Sequence, residues 1–198
     1  MATHYRDAEM STPVDLPLRV QVVRDLGADP IAQGCLVGFY ALEMAKALDW
    51  TPEHRFMQIR QAQLMIGYGH SRLYVAGFEP GHHVALMLTT RTSKREIRRL
   101  DALWVAEPYR RRGIGRRLME EARRGGSDFH SFATPGAVEW HLANGFRSLG
   151  PKPEGTVEMF TGSYAPEYSF DFALPTPTEE DMRAMVQLAR MENELGAG

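Results

Sequence analysis

The sequence has almost none of the features that mark secreted or membrane-bound proteins. It holds one cysteine in 198 residues, Cys35, so no intrachain disulfide can form and a reducing, cytoplasmic setting is expected. Because free cysteines are usually buried, we expect Cys35 to fill the core rather than act as a nucleophile. Residues 1–16 carry no signal-peptide pattern, and no run approaches the ~18 apolar residues of a membrane span, so no membrane partner is expected.

A strong net charge is also missing. The formal charge of -2 argues against general binding to nucleic acid, so a nucleic-acid partner is not expected. The charges are nevertheless uneven, because residues 91–124 contain twelve basic and five acidic side chains. Such local positive charge raises the concentration of an anionic ligand. Metal ligands show no site-like spacing, and the adjacent His82 and His83 would face opposite sides of a strand.

The basic segment contains a strand, a loop and a helix start in immediate succession. Residues 100–105 have the apolar character of a buried strand, 106–109 form a turn, and 110–115 are arginine and glycine around one isoleucine. Glycines let a backbone approach a ligand closely, and a helix N-terminus presents unpaired N–H groups and the positive end of its dipole. The stretch therefore predicts an anion site, most naturally for phosphate, at a strand–loop–helix junction.

The spacing of this loop distinguishes among known phosphate motifs. The dinucleotide fingerprint fails because Leu118 stands in place of the third glycine, and no Walker sequence is present. Arg110, Gly113 and Gly115 instead form R-x-x-G-x-G, which resembles the acetyl-CoA-binding motif of the GNAT superfamily of N-acetyltransferases. In that family the loop amides hold the pyrophosphate of CoA.

A second motif further along the chain strengthens the resemblance. Ala137, Trp140, Gly145 and Phe146 are similar to the family's helix A-x-x-(aromatic or Leu)-Tyr-x-x-x-Gly-Phe, at the right separation from the loop. His141 stands where the family usually has a tyrosine, which leaves the identity of the general acid open.

The order of elements that the apolar periodicity predicts agrees with this resemblance. It is strand, two helices, three strands, helix, strand, helix, two strands. The GNAT resemblance implies an α/β (α+β) fold with a mixed, mostly antiparallel central sheet and helices on both faces. We expect a flexible segment at 1–16, an acyl-CoA-binding domain at 17–162 and a C-terminal extension at 163–198. The extension has an added strand at 168–172 and then a helix, whose apolar stripe packs on its own domain or on a dimer partner.

The resemblance also implies a cosubstrate and its binding residues. Acetyl-CoA is the implied cosubstrate, with no metal. Its thioester would lie where the strand ending at Val105 and the strand at 127–132 splay apart, with a backbone N–H near the strand end polarising the carbonyl. The residues expected to bind it are Leu103, Trp104, Val105, Arg110, Arg111, Arg112, Gly113, Ile114, Gly115 and Arg116.

Two side chains are the leading catalytic candidates. Asp101 matches a position that is often acidic in the family, and we expect it to act as the general base. The alternative for this carboxylate is pairing with Arg98 or Arg99. His141 is the candidate proton donor to the thiolate, because histidine titrates near neutrality, and His130 is a weaker candidate.

These features predict an acetyl-CoA-dependent N-acetyltransferase that acts on a primary amine, either a small molecule or a peptide. Two alternatives stay open. One is a non-catalytic module that binds acyl-CoA or a partner. This alternative stays open because the family's tyrosine is missing at position 141. The other is an acyltransferase that acts on a protein or a charged tRNA and uses the basic segment for docking. The sequence does not identify the acceptor.

Overall fold

The structure is a computed structural model that describes residues 17–24, 30–48, 51–79, 82–170, 172, 178–180, 182–184 and 186–187. Its elements are β1 (Arg19–Val23), α1 (Pro30–Leu48), α2 (Pro52–Gly67), β2 (Ser71–Glu79), β3 (His82–Arg91), β4 (Ile97–Val105), α3 (Ile114–Arg123), β5 (Asp128–Ala133), α4 (Val138–Ala143), β6 (Arg147–Pro151) and β7 (Val157–Phe160). Single 3₁₀ turns span Glu107–Tyr109 and Pro135–Ala137. The expected order through β7 is confirmed, and the N-terminal segment at 1–16 lies outside the described residues.

The seven strands form one mixed sheet in the order β1-β2-β3-β4-β5-β7-β6. All neighbouring strands pair antiparallel except β4 and β5, which are parallel. A parallel pair needs a crossover connection, and α3 supplies it between the end of β4 and the start of β5. The mixed, mostly antiparallel sheet expected from the sequence is confirmed.

Helices cover both faces of this sheet. On one face, here called the α1–α2 face, Val37 and Ile66 pack against strand side chains that include Leu86. On the other face, the α3–α4 face, Leu118 and Met119 of α3 belong to a second apolar cluster with strand residues of β2 to β5. The sheet therefore separates two cores, and a group on one face reaches the other only where the strands part.

Two sequence-based expectations differ from the structure. Cys35 is exposed, because its neighbours Leu36 and Val37 occupy the buried side of α1. Residues 168–170 and 172 are irregular rather than part of the expected strand at 168–172, and Tyr168 and Phe170 use their side chains to contact His130 and Arg99. In the last helix, Met182 and Val186 are 41% and 40% exposed, and packing of its apolar stripe on the chain's own domain or on a dimer partner stays a prediction.

Candidate active site

The central feature of the molecule is a fork between β4 and β5. Their parallel pairing runs only from Ile97 opposite Asp128 to Leu100 opposite Ser131. Beyond these residues β4 continues along β3, whereas β5 continues along β7. The expected gap between two splayed strands is therefore present.

A β-bulge at Asp101 explains the divergence. Thr89 of β3 lies opposite Leu100, and the preceding Leu88 lies opposite Ala102, so Asp101 is an extra residue in β4. A bulge bends its strand and increases the local twist. Because Asp101 directly follows the last residue of β4 that pairs with β5, its carboxylate belongs to the apex of the fork.

The backbone of β4 presents hydrogen-bonding groups to the gap. Ala106 N–H donates to the carbonyl of Val84 on β3 at 2.8 Å, whereas the carbonyl of Val105 accepts from Arg110 on the other side. Since backbone groups of successive strand residues alternate sides, Leu103 and Val105 direct theirs into the gap. Trp104 directs its own toward β3. Of the three residues expected to supply amides, Leu103 and Val105 thus direct their N–H groups into the gap, whereas the N–H of Trp104 faces β3.

The loop after β4 has the backbone of an anion site. Arg111 and Gly113 adopt left-handed φ angles of 61° and 77°. Gly113 is the N-cap residue of α3, and within the described part of the chain no side chain caps this helix. The first N–H groups of a helix lack intrahelical partners, so the amides of 114–116 point out of the helix end. Successive amides around a left-handed residue form a concave anion site.

The arginine side chains of this loop have different partners. Arg110 donates its Nε–H to the carbonyl of Val105 at 2.9 Å, so it fastens the loop to the end of β4. The guanidinium carbon of Arg112 lies 5.6 Å from the centroid of Tyr109. Arg116 pairs with Glu120 at 3.0 Å and remains 76% exposed. Ile114 and Gly115 are buried, so only their backbone amides are available to a bound anion.

Asp101 ends a buried chain of hydroxyl groups. Its Oδ2 accepts from Thr90 Oγ1 at 2.5 Å, and Thr90 in turn accepts from Ser71 Oγ at 2.8 Å. Its Oδ1 accepts from Nε of Arg99. Burial raises the pKa of Asp101, while Arg99 and Thr90 act in the opposite direction. Of the two arginines weighed as partners of this carboxylate, Arg99 is bonded to it, whereas Arg98 turns to β3.

A cavity of about 300 Å³ opens beside Asp101, between the sheet and the two helices of the α1–α2 face. Its lining is mostly apolar or amide in character, including Met44, Met65 and two glutamines of α2. Arg99 and Asp101 carry the charge of the lining. Tyr40 adds a phenol, whose pKa is raised mainly by burial and second by Asp101, so it remains a protonated donor.

His141 lies at the fork on the opposite face. Its Nδ1–H donates to the carbonyl of Ala137 at 2.8 Å, and its Nε2 faces Ser131 Oγ at 3.3 Å. Burial lowers the pKa of His141, partly offset by the bond to Ala137. Ser131 is the last residue of β5 that pairs with β4, and its hydroxyl lies 3.2 Å from the carbonyl of Leu100. The imidazole therefore reaches the fork through Ser131.

His130 belongs to a separate network on the α1–α2 face. Its Nε2–H donates to Glu158 at 2.8 Å, so its Nδ1 accepts from the hydroxyl of Tyr168 at 2.6 Å. Lys152 pairs with the other oxygen of Glu158 at 2.5 Å. Burial lowers the pKa of His130, partly offset by Glu158. Sequence reasoning missed these partners, because only the fold brings β5, β7 and the C-terminal segment together.

The chemistry of the site rests on backbone amides, carboxylates, hydroxyls and imidazoles. Across the described ranges, no group of three or more His, Cys, Asp or Glu side chains is placed to hold a metal ion. None of the helices in those ranges has the length and apolarity needed to cross a membrane.

The splayed parallel strands, the uncapped helix N-terminus beside them and the carboxylate at the apex are the arrangement of an acyl-CoA-dependent acetyltransferase. Residues 69–148 match the family model described as Acetyltransferase (GNAT) domain. The match supports membership of this chain in the GNAT superfamily of acetyltransferases. No curated protein matches it at the sequence level.

Solved structures share the fold at low sequence identity. An acetyltransferase from Thermus thermophilus is 20% identical, with a TM-score of 0.54 over 73% of this chain and 96% of its own. A putative N-acetyltransferase from Lactobacillus plantarum is 16% identical, with a TM-score of 0.54 over 73% and 96%. The PaiA N-acetyltransferase from Thermoplasma acidophilum, solved in complex with coenzyme A, is 13% identical, with a TM-score of 0.51 over 73% and 98%. At these identities the likeness shows a common fold.

Proposed function

We propose that this protein is an acetyl-CoA-dependent N-acetyltransferase that transfers an acetyl group to a primary amine by direct attack on the thioester. The observation that carries the proposal is that one fork has the anion loop at its open end and a buried carboxylate at its apex. The GNAT domain match and a neighbour of the same fold in complex with coenzyme A support the choice of cosubstrate.

The loop and the open edge of β4 would bind opposite ends of this cosubstrate. The amides of 114–116 and the exposed Arg111 and Arg112 face the diphosphate, where the helix dipole and the arginine charge both favour an anion. The N–H of Leu103 or Val105 donates to the carbonyl oxygen of the thioester. Negative charge grows on that oxygen during attack, so the hydrogen bond strengthens in the transition state.

Asp101 is the proposed general base. An amine attacks as the neutral form, so one proton must leave its nitrogen, and a carboxylate at the apex accepts it directly or through water. Burial raises the pKa of Asp101, which makes this carboxylate a stronger base than an exposed aspartate. The hydroxyl chain through Thr90 and Ser71 fixes the orientation of the carboxylate.

His141 is the proposed source of the proton for the leaving thiolate, and it acts through Ser131. As an imidazolium it donates Nδ1–H to Ala137 and Nε2–H to Ser131 Oγ. The serine hydroxyl, which donates to the carbonyl of Leu100 in this structure, would turn to the thiolate, give it its proton and take the Nε2 proton in return. Because burial lowers the pKa of His141, the imidazole is mostly neutral near pH 7, and the cation that forms is a stronger acid than an exposed imidazolium.

The cavity beside Asp101 is the proposed acceptor site. Its volume of about 300 Å³ suits a small molecule, and its two charged side chains, Arg99 and Asp101, pair with each other. Met44 and Met65 offer apolar surface to the body of the acceptor. These features favour a compact acceptor with one amino group over a polyamine or a lysine-rich peptide, whose further charges would meet no additional acid in the lining.

Two measurements test the proposal. Acetyl-CoA and CoA are each expected to raise the melting temperature, whereas AMP, which lacks the diphosphate and the pantetheine arm, is expected to raise it far less. Thiol release is then followed with compact monoamines, polyamines and lysine peptides, and the monoamines are expected to give the highest turnover. Asp101→Asn is expected to lose ~10²-fold or more of kcat/KM while keeping the stabilisation by acetyl-CoA. Failure of both acetyl-CoA and CoA to stabilise the protein would exclude the proposal.

A non-catalytic acyl-CoA-binding module is the second candidate. The specific observation in its favour is a buried histidine at the position where the family usually has a tyrosine. This function predicts stabilisation by acetyl-CoA without thiol release for any amine in the panel.

A further inference from the structure

The C-terminal segment at 165–170 and 172 is fixed against the α1–α2 face, beside the proposed acceptor cavity. The hydroxyl of Tyr168 donates to Nδ1 of His130 at 2.6 Å. Ser169 N–H donates to Ser93 Oγ at 3.0 Å, and Ser93 N–H donates to the carbonyl of Ser169 at 2.8 Å. The segment lies outside residues 69–148, the part of the chain that matches the GNAT domain model.

Next to these fixed points, Phe170 packs on Arg99. The guanidinium carbon lies 4.8 Å from the ring centroid, which is within cation–π range. The same arginine donates Nε–H to Asp101 and lines the cavity. The side chain of Arg99 is 33% exposed and that of Asp101 is 14% exposed. The arginine therefore has room to rotate into water, whereas the carboxylate does not.

We propose that Phe170 is a positioning residue for Asp101, because its ring holds the guanidinium of Arg99 against the carboxylate. The inference rests on the proposed function, in which Asp101 is the general base. Arg99 opposes the effect of burial on this carboxylate. The geometry of the pair therefore decides the pH at which the base becomes ionised.

The other groups that face Asp101 do not take over the role of Arg99 in setting its ionisation. Among the described residues they are Thr90 on β3, Arg98 on β4, Tyr40 on α1 and Tyr168 on the C-terminal segment. Burial raises the pKa of Tyr168 to about 12 and raises that of Tyr40 as well, so both phenols stay neutral in the physiological range. Arg98 bonds to β3 rather than to the carboxylate.

The test follows the titration of Asp101 directly and needs no acceptor. The carboxyl ¹³C resonance of Asp101 is assigned by its loss in Asp101→Asn and is then titrated in the otherwise wild-type chain and in Phe170→Ala. We expect the Asp101 midpoint of Phe170→Ala to move to higher pH by about half a unit, as the loss of an exposed cation–π contact predicts. Phe170→Leu keeps an apolar side chain without the π face, and it is expected to shift the midpoint in the same direction.

Phe172→Ala is the matched control. Phe172 neighbours Phe170 on the same segment, but its ring stacks on His70 at 3.8 Å, and its cation–π contact is with Arg91. We expect an unchanged Asp101 midpoint in this variant. Phe170→Tyr retains the ring face and is expected to restore the wild-type midpoint. With an amine that gives turnover, the acidic limb of the kcat/KM profile should move together with the NMR midpoint.

The outcomes separate this inference from the proposed function. An unchanged midpoint in both Phe170→Ala and Phe170→Leu, or an equal shift in Phe172→Ala, overturns the positioning role of Phe170 and leaves the base untouched. Undiminished turnover in Asp101→Asn overturns the role of Asp101 as general base instead, whatever the titration shows. The proposed function itself is overturned when neither acetyl-CoA nor CoA stabilises the protein.

Discussion

Trp140 packs its indole against the backbone of Gly115 so closely that a Cβ at residue 115 would lie 3.1 Å from Nε1 and 3.3 Å from Cζ2. Gly115 belongs to the first turn of α3, which carries the proposed diphosphate amides, and Trp140 belongs to α4, next to His141. The same Cβ would lie 3.4 Å from Leu103, whose backbone faces the gap. One close contact thus joins the anion loop, the fork and the helix that carries the proposed proton donor.

Gly115→Ala is therefore expected to destabilise the protein by about 1 kcal/mol, because overpacking against Trp140 outweighs the gain in helix propensity. The measurement is the free energy of unfolding in urea. Gly38→Ala is the matched control, since Gly38 lies inside α1 with open space around its missing side chain, and it should stabilise the protein. Adding Trp140→Phe to Gly115→Ala should recover part of the loss. If the effects of the two substitutions on the free energy of unfolding are strictly additive, the indole of Trp140 is not what destabilises Gly115→Ala.

The left-handed backbone at Gly113 gives a second prediction. An alanine there must adopt a φ near 77°, so Gly113→Ala should cost about 1–2 kcal/mol of stability or force the loop into another conformation. Either result moves the amides that are proposed to hold the diphosphate, so acetyl-CoA should raise the melting temperature less than in the wild type. Gly136→Ala is the control, because Gly136 is exposed and has no neighbour in the way. Equal stabilisation by acetyl-CoA in both variants would argue against the loop as the binding site.

Local signals in the sequence were sufficient for most of the fold. The strand over residues 100–105 was predicted correctly, because a run of apolar residues acts over a short distance. The start of α2 is likewise a local feature, since a side chain just before the helix caps it. Thr51 Oγ1 does accept from His54 N–H, at 3.3 Å. The parting of β4 from β5 also followed from short motifs, through their resemblance to a family in which this gap is known.

Features that depend on distant partners were beyond such reasoning. The bulge at Asp101 arises from the register between β3 and β4, and no residue in β4 predicts that register. The alternating residues at 168–172 suggested a strand, yet Tyr168 and Phe170 use their side chains to contact His130 and Arg99 rather than a neighbouring backbone. The exposure of Cys35 likewise depends on which side of α1 meets the sheet.

His141→Phe tests the proposed proton donor. Loss of a general acid typically costs ~10²-fold or more in rate, so kcat should fall by at least that much while the affinity for acetyl-CoA is retained. Ser131→Ala should lower kcat in the same assay, because the imidazole reaches the fork through this hydroxyl. A wild-type kcat in His141→Phe would assign the proton to another donor or to water.

Buried neutral histidines predict how stability depends on pH. Burial lowers the pKa of both His141 and His130 in the folded protein, while the unfolded chain keeps a pKa of about 6.5. Between the two values the unfolded chain binds more protons, so the free energy of unfolding is greatest above the unfolded pKa and falls as the pH drops through this window. Melting temperatures measured from pH 7 to pH 5 should therefore decline.

His141→Phe isolates one contribution to this decline. Asp101, whose pKa is raised by burial, has the opposite effect on how stability depends on pH. Because Asp101 is present in both proteins, its effect cancels in the difference between their melting temperatures. Phenylalanine carries no proton at this position, so the melting temperature of the variant should improve relative to the wild type as the pH falls from 7 to 5. If the difference between the two melting temperatures stays constant over this range, His141 has the same pKa in the folded and unfolded chains, and burial does not lower it.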